Sequence, residues 1–341
     1  MFHPYDMSGS TELGSEMASL TRMPLCVINP FPVMRYRLNF VVQQPFSINE
    51  NPGALVRSVL GMQFRKLSCT TGASECKGCR NINQCAYPRL FENSMPNSYT
   101  HRRHAGLPNP YIVEASETMA RSYDVGDMLS FSITLIGDSL TQLDLVLLAL
   151  HKGFSQSIGS RKGKASLHEV YADSEYEPIW HGENPSVSLR SHRQFVRLPE
   201  HTTRASVSKN KDRLVLNFLS PLRLVRKGKL ISASDLQASD ILMSIVRRYA
   251  SLVEVHLDQS TGFDFKSLAE KSKRCSINQQ LEMCSWSRYS SRQCKKLKGD
   301  GWQGLVELQG DLSDFLPIVN ICEYLHIGKM TTCGNGRYAV G

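Results

Sequence analysis

The residues of this chain best suited to chemistry crowd toward its end. The last sixteen, His326 to Gly341 (HIGKMTTCGNGRYAVG), hold Gly328, Gly334, Gly336 and Gly341 with Lys329 and Arg337, and no acidic residue. Glycine lets backbone N–H groups approach an anion closely, and the two cations add charge. The run therefore reads either as an oxyanion-binding loop or as an ordinary helix-to-strand turn. His326 stands at its start, with Tyr324 and Lys329 close by. Cleaving RNA without a metal takes a base of near-neutral pKa for the ribose 2′-OH, an acid for the leaving 5′-oxygen and a cation for the phosphorane-like charge. His, Tyr and Lys can supply all three, and a hydrogen-bonded structural histidine is the competing reading. A phosphate-binding P-loop does not fit, because Glu323 and Met330 stand where that motif needs Gly and Ser or Thr.

Three further groups carry chemistry. Cys69, Cys76, Cys79 and Cys85 follow one another as C-x6-C-x2-C-x5-C in a polar segment. Four thiolates suit a closed tetrahedral zinc site, structural because it leaves no open position; buried, unligated cysteines are the alternative. The other six cysteines are scattered and read as unligated. A second basic glycine loop, GFSQSIGSRKGKASLHEV, places Gly159, Arg161, Lys162 and Lys164 between a helix and a strand, one domain before the closing loop. The block WSRYSSRQCKKLK, from Trp286 to Lys298, holds Arg288, Arg292, Lys295, Lys296 and Lys298 without a carboxylate. It suits a ribbon that tracks phosphates, with Trp286 and Tyr289 for stacking, or a solvated strand face.

The elements that must position these groups repeat. Val33–Gln43 is strand-like, and Ala54–Leu67 has helical apolar spacing with a basic face. Strands follow at Pro110–Glu114 and Met128–Gly137, then a helix at Leu140–His151 and the first glycine loop. Glu175–Pro185 reads as inter-domain, and Ser186–Arg204 as extended and basic. The second cycle has a strand at Leu214–Leu219, a helix at Ser234 to about Leu257, a strand pair at Trp286–Leu297 and Leu305–Leu308, a helix at Leu312–Leu325 and the closing strand. Two β-α-β-β-α-β cycles predict an α+β protein of tandem ferredoxin-like (RRM-like) domains with antiparallel sheets. The expected division is a mobile tail at residues 1–25, a first domain at 26–180 with the cysteine-rich insertion at 69–92, and a second domain at 181–341.

The totals agree with a soluble protein that has a polyanionic partner. The chain has 341 residues, 41% hydrophobic and 21% charged, with 40 Lys+Arg against 31 Asp+Glu. No segment approaches the roughly 18 apolar residues of a membrane span, and the N-terminus lacks the pattern of a secretory signal. A cytoplasmic setting is expected, where cysteines stay reduced.

From Asn51 onward the chain resembles the CRISPR-associated RAMP endoribonucleases that cut pre-crRNA within its repeats. The pieces that carry the likeness are RSVLGMQFRKLSC, ECKGCRNINQCAYPRLFE, SIGSRKGKASLHEV, LVLNFLSPLRL and VRRYASL. The most specific is the closing EYLHIGKMTTCGNGRYAV. There Gly328, Lys329, Gly334, Gly336 and Tyr338 match that superfamily's RNA-contacting loop, with His326 in place of its first glycine. The resemblance implies recognition of a repeat stem-loop and cleavage with no catalytic metal, leaving 5′-OH and 2′,3′-cyclic phosphate ends. It also implies delivery of the mature crRNA to a multi-subunit CRISPR complex. Relatives with the cysteine insertion often carry a histidine just after the position of Gly61; here that residue is Met62. The catalytic set expected instead is His326 with Lys329 and Tyr36. His101, His104 and His151 are further candidates for the base, and Arg35, Arg37 and Arg57 for charge stabilisation. A subunit that holds the crRNA without cutting it is the alternative, and a zinc-containing nucleic-acid-binding protein of another pathway is a third.

Overall fold

In the first strand, β1 (Val33–Gln44), Met34, Tyr36, Leu38, Phe40 and Val42 are buried, while Arg37 and Gln43 on the other face are exposed. Period-two alternation of this kind marks a sheet covered on one side only. The computed structural model describes residues 31–48, 51–92, 107–156, 158, 163–173, 175–182, 211–290 and 295–341. The expected strands, helices and loops that fall elsewhere, Ser186–Arg204 among them, lie outside the described residues.

After β1 come β2 (Phe46–Ser47), α1 (Pro52–Ser68), α2 (Ala86–Phe91), β3 (Tyr111–Glu114), β4 (Ser122–Tyr123), β5 (Met128–Ile136), α3 (Leu143–Gln156), β6 (Lys164–Ala172) and β7 (Trp180–His181). The main sheet has the order β3-β5-β1-β6-β7, every pair antiparallel. Asn51 starts α1 by accepting the Ala54 N–H on its side-chain oxygen, with Pro52 in the first turn. Val56, Val59, Leu60 and Phe64 of α1 join Val146, Leu147, Leu150 and Phe154 of α3 in the core beneath the sheet. Each such side chain contributes roughly 1.5–3 kcal/mol on burial.

The second half holds β8 (Arg213–Leu222), β9 (Val225–Arg226), β10 (Lys229–Leu230), α4 (Ala238–His256), α5 (Phe265–Lys273), β11 (Ser276–Cys284), β12 (Ser287–Ser290), β13 (Lys295–Lys298), β14 (Gly301–Gln309), α6 (Leu316–Leu325) and β15 (Tyr338–Val340). Its sheet runs β11-β14-β8-β15, antiparallel throughout, which repeats the order of the first sheet's four principal strands. Both are the ferredoxin-like arrangement, so the fold is α+β with tandem domains of this kind.

Three expectations need correction. The partner of β14 is β11, a polar strand that the sequence did not advertise, and α5 precedes it. The block from Trp286 is instead a separate hairpin, β12 against β13, that projects between β11 and β14. Residues Trp180–His181, expected in an inter-domain turn, pair with β6 as an edge strand.

The two halves meet through packed contacts. Phe31, Val33, Ile112 and Ile136 of the first half belong to the core of the second, where Phe31 lies 5.4 Å from the Tyr249 ring. His256 at the end of α4 hydrogen-bonds the carbonyl of Pro108 through Nε2 at 2.6 Å. Burial lowers its pKa to about 4.

Candidate nucleic-acid interface

The closing loop begins where α6 ends. His326 breaks the helix with φ 52°, and its ring is fully buried. Its Nδ1 lies 3.2 Å from the carbonyl of Asn335, and its Nε2 lies 3.6 Å from Oε1 of Glu114 on β3. Glu114 is itself buried. It accepts from Arg35 Nε at 2.9 Å and from the Thr134 hydroxyl at 3.0 Å, and Arg337 Nη1 lies 3.5 Å away. Burial alone would raise its pKa, but His326, Arg35 and Arg337 together hold it well below the usual carboxylate range. Burial pushes the imidazole the other way from imidazolium, below its ordinary value, against the pull of Glu114.

This geometry removes His326 from the role expected of it. A general base must reach the proton it abstracts, and a side chain with no exposed surface, bracketed by protein acceptors, reaches no ribose. Tyr36 fails for a similar reason: it points into the first core, and burial raises its pKa to about 12. Lys329 is exposed, with its backbone N–H tied to the carbonyl of Arg223 at 2.9 Å. Of the three expected catalytic residues it alone faces solvent.

The glycines of the loop meet protein backbone. A Cβ on Gly336 would sit 1.8 Å from the Ile327 carbonyl oxygen, one on Gly334 2.7 Å from that of Val113, and one on Gly328 2.6 Å from that of Arg223. All three have φ between 74° and 91°, where a side chain is strained. Gly53 at the start of α1 packs the same way, its Cβ position 2.2 Å from the Cys333 carbonyl oxygen. Arg57 Nε, one turn on, donates to Thr332 Oγ1 at 3.2 Å. The loop is thus a keystone wedged between β3, α1 and the Pro221–Arg223 segment. The expectation that its glycines form an open anion cradle does not describe this packing. Arg337 remains 40% exposed beside it.

The keystone also fixes the base of the basic hairpin. Asn335 Nδ2 donates to the carbonyl of Gly299 at 3.1 Å, and Arg223 Nη1 to that of Asp300 at 2.7 Å. Gly299 lies beneath the Trp286 ring, which leaves no room for a Cβ. Arg288 is on β12, and Lys295 and Lys296 are on β13; Arg292 lies outside the described residues. So do Gly159, Arg161 and Lys162 of the first glycine loop, across which Ile158 pairs with Gly163, and Lys164 opens β6. His101 and His104 are likewise outside. His151 lies on α3 and Arg35 serves Glu114. Met62, at the position where a histidine was expected, is 53% exposed on α1.

A surface that the sequence did not single out is the helix-free face of the first sheet. Arg37 lies over the Tyr171 ring at 4.6 Å, and Asn39, Ser130, Glu169 and Tyr171 form a hydrogen-bonded row. His168 and His181 stand beside it with ring centroids 4.8 Å apart. Cations, amides and an aromatic ring on an open sheet can hold single-stranded RNA by phosphate contact and base stacking.

Cys69, Cys76, Cys79 and Cys85 line one pocket with Arg65 and Thr71; four thiols are the donor type of a structural zinc site, but no three of their sulfur atoms lie within 4.8 Å of one another. Hydrogen bonds from Gly72 and Thr71 lower the pKa of Cys69, and one from Thr71 lowers that of Cys79, while burial raises that of Cys76. All four are free thiols. Among the described residues no helix is long and apolar enough to cross a membrane.

Residues 216–338 match the family model of the CRISPR-associated endoribonuclease Cas6, and residues 31–193 match a model described as an N-terminal domain. No curated protein matches the chain in sequence. Among solved structures, a partial Cas6-RT-Cas1–Cas2 complex aligns over 94% of this chain at TM-score 0.53 and 14% identity. A Cas6-RT-Cas1–Cas2 complex does so with the same figures. The chain spans 47% and 29% of the length of those two chains. A Cas6 product complex aligns over 91% of this chain and 100% of its own at TM-score 0.52 and 12% identity. At these identities the likeness is one of fold. The second half of the chain thus matches the CRISPR-associated Cas6 endoribonuclease family in sequence, and the whole chain shares the tandem ferredoxin-like fold of the Cas6 structures.

Proposed function

We propose that the protein binds CRISPR repeat RNA and cuts it by attack of the ribose 2′-OH, without a catalytic metal, to leave 5′-OH and 2′,3′-cyclic phosphate ends. The observation that carries this reading is the Cas6 endoribonuclease match over residues 216–338. In this reading the RNA is held by the exposed basic groups around the keystone and the open face of the first sheet. Lys329, exposed on a rigid loop, supplies positive charge where the phosphorane develops. The base is neither His326 nor Tyr36, since both are buried. A single zinc ion held by Cys69, Cys76, Cys79 and Cys85 would brace the insertion between α1 and α2 and take no part in cleavage. Subunits of a CRISPR effector complex are the expected protein partners.

A second reading is a subunit that holds the crRNA without cutting it. It is favoured by Met62 at the expected histidine position and by the burial of His326. Incubation with cognate repeat RNA in EDTA separates the two. Cleavage that a 2′-deoxy substitution at the scissile nucleotide abolishes supports the first reading. Tight binding with an intact strand supports the second, and indifference to the repeat hairpin sinks both.

A further inference from the structure

The buried-exposed alternation of β6 fails at one place. Ala165, Leu167, Val170 and Ala172 are buried, but His168 and Glu169, adjacent in sequence, are both partly exposed. The pairing with β1 explains why: Asn39 is opposite Glu169 and Phe40 is opposite Leu167, so His168 is an extra residue in the ladder. A β-bulge of this kind re-aims a side chain, and here it turns two consecutive residues onto one face. The edge strand β7 then completes the cluster, with His181 directly across from Glu169.

The atoms converge on one point. Oε2 of Glu169 is held by Asn39 Nδ2 at 3.2 Å and by the Tyr171 hydroxyl at 3.0 Å. The other oxygen, Oε1, lies 3.9 Å from His168 Nε2 and 3.8 Å from His181 Nε2. Both distances are too long for a hydrogen bond. One ligand atom from each residue lies within 4.8 Å of the others, and among the described residues no other group of three or more His, Cys, Asp or Glu does so. Zinc sits about 2.0–2.2 Å from imidazole nitrogen and carboxylate oxygen. A shift of about an ångström in each side chain would bring all three ligand atoms within that range of one ion.

We propose that His168, Glu169 and His181 form a binding site for a divalent transition-metal ion, of the zinc class, on the open face of the first sheet. Two imidazoles and one carboxylate prefer such an ion to magnesium or calcium, which take mainly oxygen ligands. Asn39 and Tyr171 act as the outer contacts that orient the carboxylate. Three protein ligands leave at least one coordination position open to solvent, unlike the closed set offered by the four cysteines. The ion would also tie the edge strand β7 to β6.

The test is a zinc titration of the full chain, with bound metal counted by elemental analysis and ligation read from the spectrum of the cobalt(II)-loaded protein. Expected is a zinc equivalent that persists in Cys76→Ser and disappears in His168→Ala. Cobalt at that site should show nitrogen and oxygen ligation without a sulfur-to-metal charge-transfer band. Asn39→Ala and Tyr171→Phe should weaken it roughly 10–100-fold while leaving the count unchanged. His181→Ala should also abolish it, and if that variant loses its fold by circular dichroism, His168→Ala decides, because a bulge residue contributes least to the ladder. Equal zinc count and affinity in wild type and His168→Ala would overturn the proposal. So would loss of RNA cleavage in His168→Ala with an unchanged zinc titration, which would make the pair an acid–base device instead.

Discussion

Replacing Glu114 by Gln tests whether the closing loop is a keystone. The substitution keeps the volume and an acceptor but removes the one negative charge shared by Arg35, His326 and Arg337. Removing one partner from a buried charge cluster costs about 3–5 kcal/mol. Two features place this site toward the lower end. Arg35 retains Asp173 at 3.5 Å, and Arg337 is 40% exposed, so water recovers part of its loss. His326 is fully buried and recovers nothing. The expected destabilisation is about 3 kcal/mol, read from urea unfolding at pH 7. The pH dependence has a definite sign. Glu114 has a folded pKa below its ordinary 4.5, so its contribution is present above that value and lost as pH falls below it. The gap between wild type and Glu114→Gln should therefore close as pH drops under about 4. A double-mutant cycle with Arg337→Ala should show coupling between the two sites. A Glu114→Gln protein within about 0.5 kcal/mol of wild type, the range of ordinary surface changes, would refute the reasoning.

Gly336→Ala should be the most damaging glycine change in the closing loop, costing over about 2 kcal/mol from its positive φ and the clash with Ile327; Gly72→Ala, whose Cβ meets nothing within 4 Å, is the control for the φ term. His256 has a folded pKa of about 4 against 6.5 when exposed, so acidification should destabilise the native state. Half-burial limits its share to at most about 2 kcal/mol between pH 7 and pH 5, and His256→Gln should flatten that slope in unfolding experiments. If Lys329 contacts an RNA phosphate, Lys329→Ala should lower the dependence of log affinity on log salt by about 0.7, as measured by filter binding to repeat RNA over a salt series. Cys76→Ser should lower the zinc content of the protein by about one equivalent.

Much of the scaffold was legible because burial follows period. In β1 every second residue is apolar, and α1 carries its capping asparagine, its proline and its apolar stripe in sequence. The strand β11 was not, because in SINQQLEMC the face formed by Ile277, Leu281 and Met283 is interrupted by Gln279 and no residue is fully buried. It is held by its ladder to β14, which local propensity cannot reveal. The glycine loop was recognised, but the role of its glycines was not. A requirement for close backbone approach looks the same in sequence whether the neighbour is a phosphate or the carbonyl of Val113. Tyr36 is in phase with Met34 and Leu38 on the buried face, a signal that already argued against catalysis. His168, Glu169 and His181 were invisible as a group, since a bulge and the pairing of β6 with β7 bring them together.

A path of polar contacts runs through the keystone from one half of the molecule to the other. From the hairpin base at Gly299 it passes to Asn335, from Asn335 to His326, and from His326 to Glu114 in the other half. With the shared apolar core around Phe31 and Tyr249, these contacts predict that the halves stay together without their covalent connection. A chain nicked anywhere between Gly182 and Lys211 should run as one particle on a sizing column. Its two pieces, made separately, should each fold poorly and rescue one another when mixed.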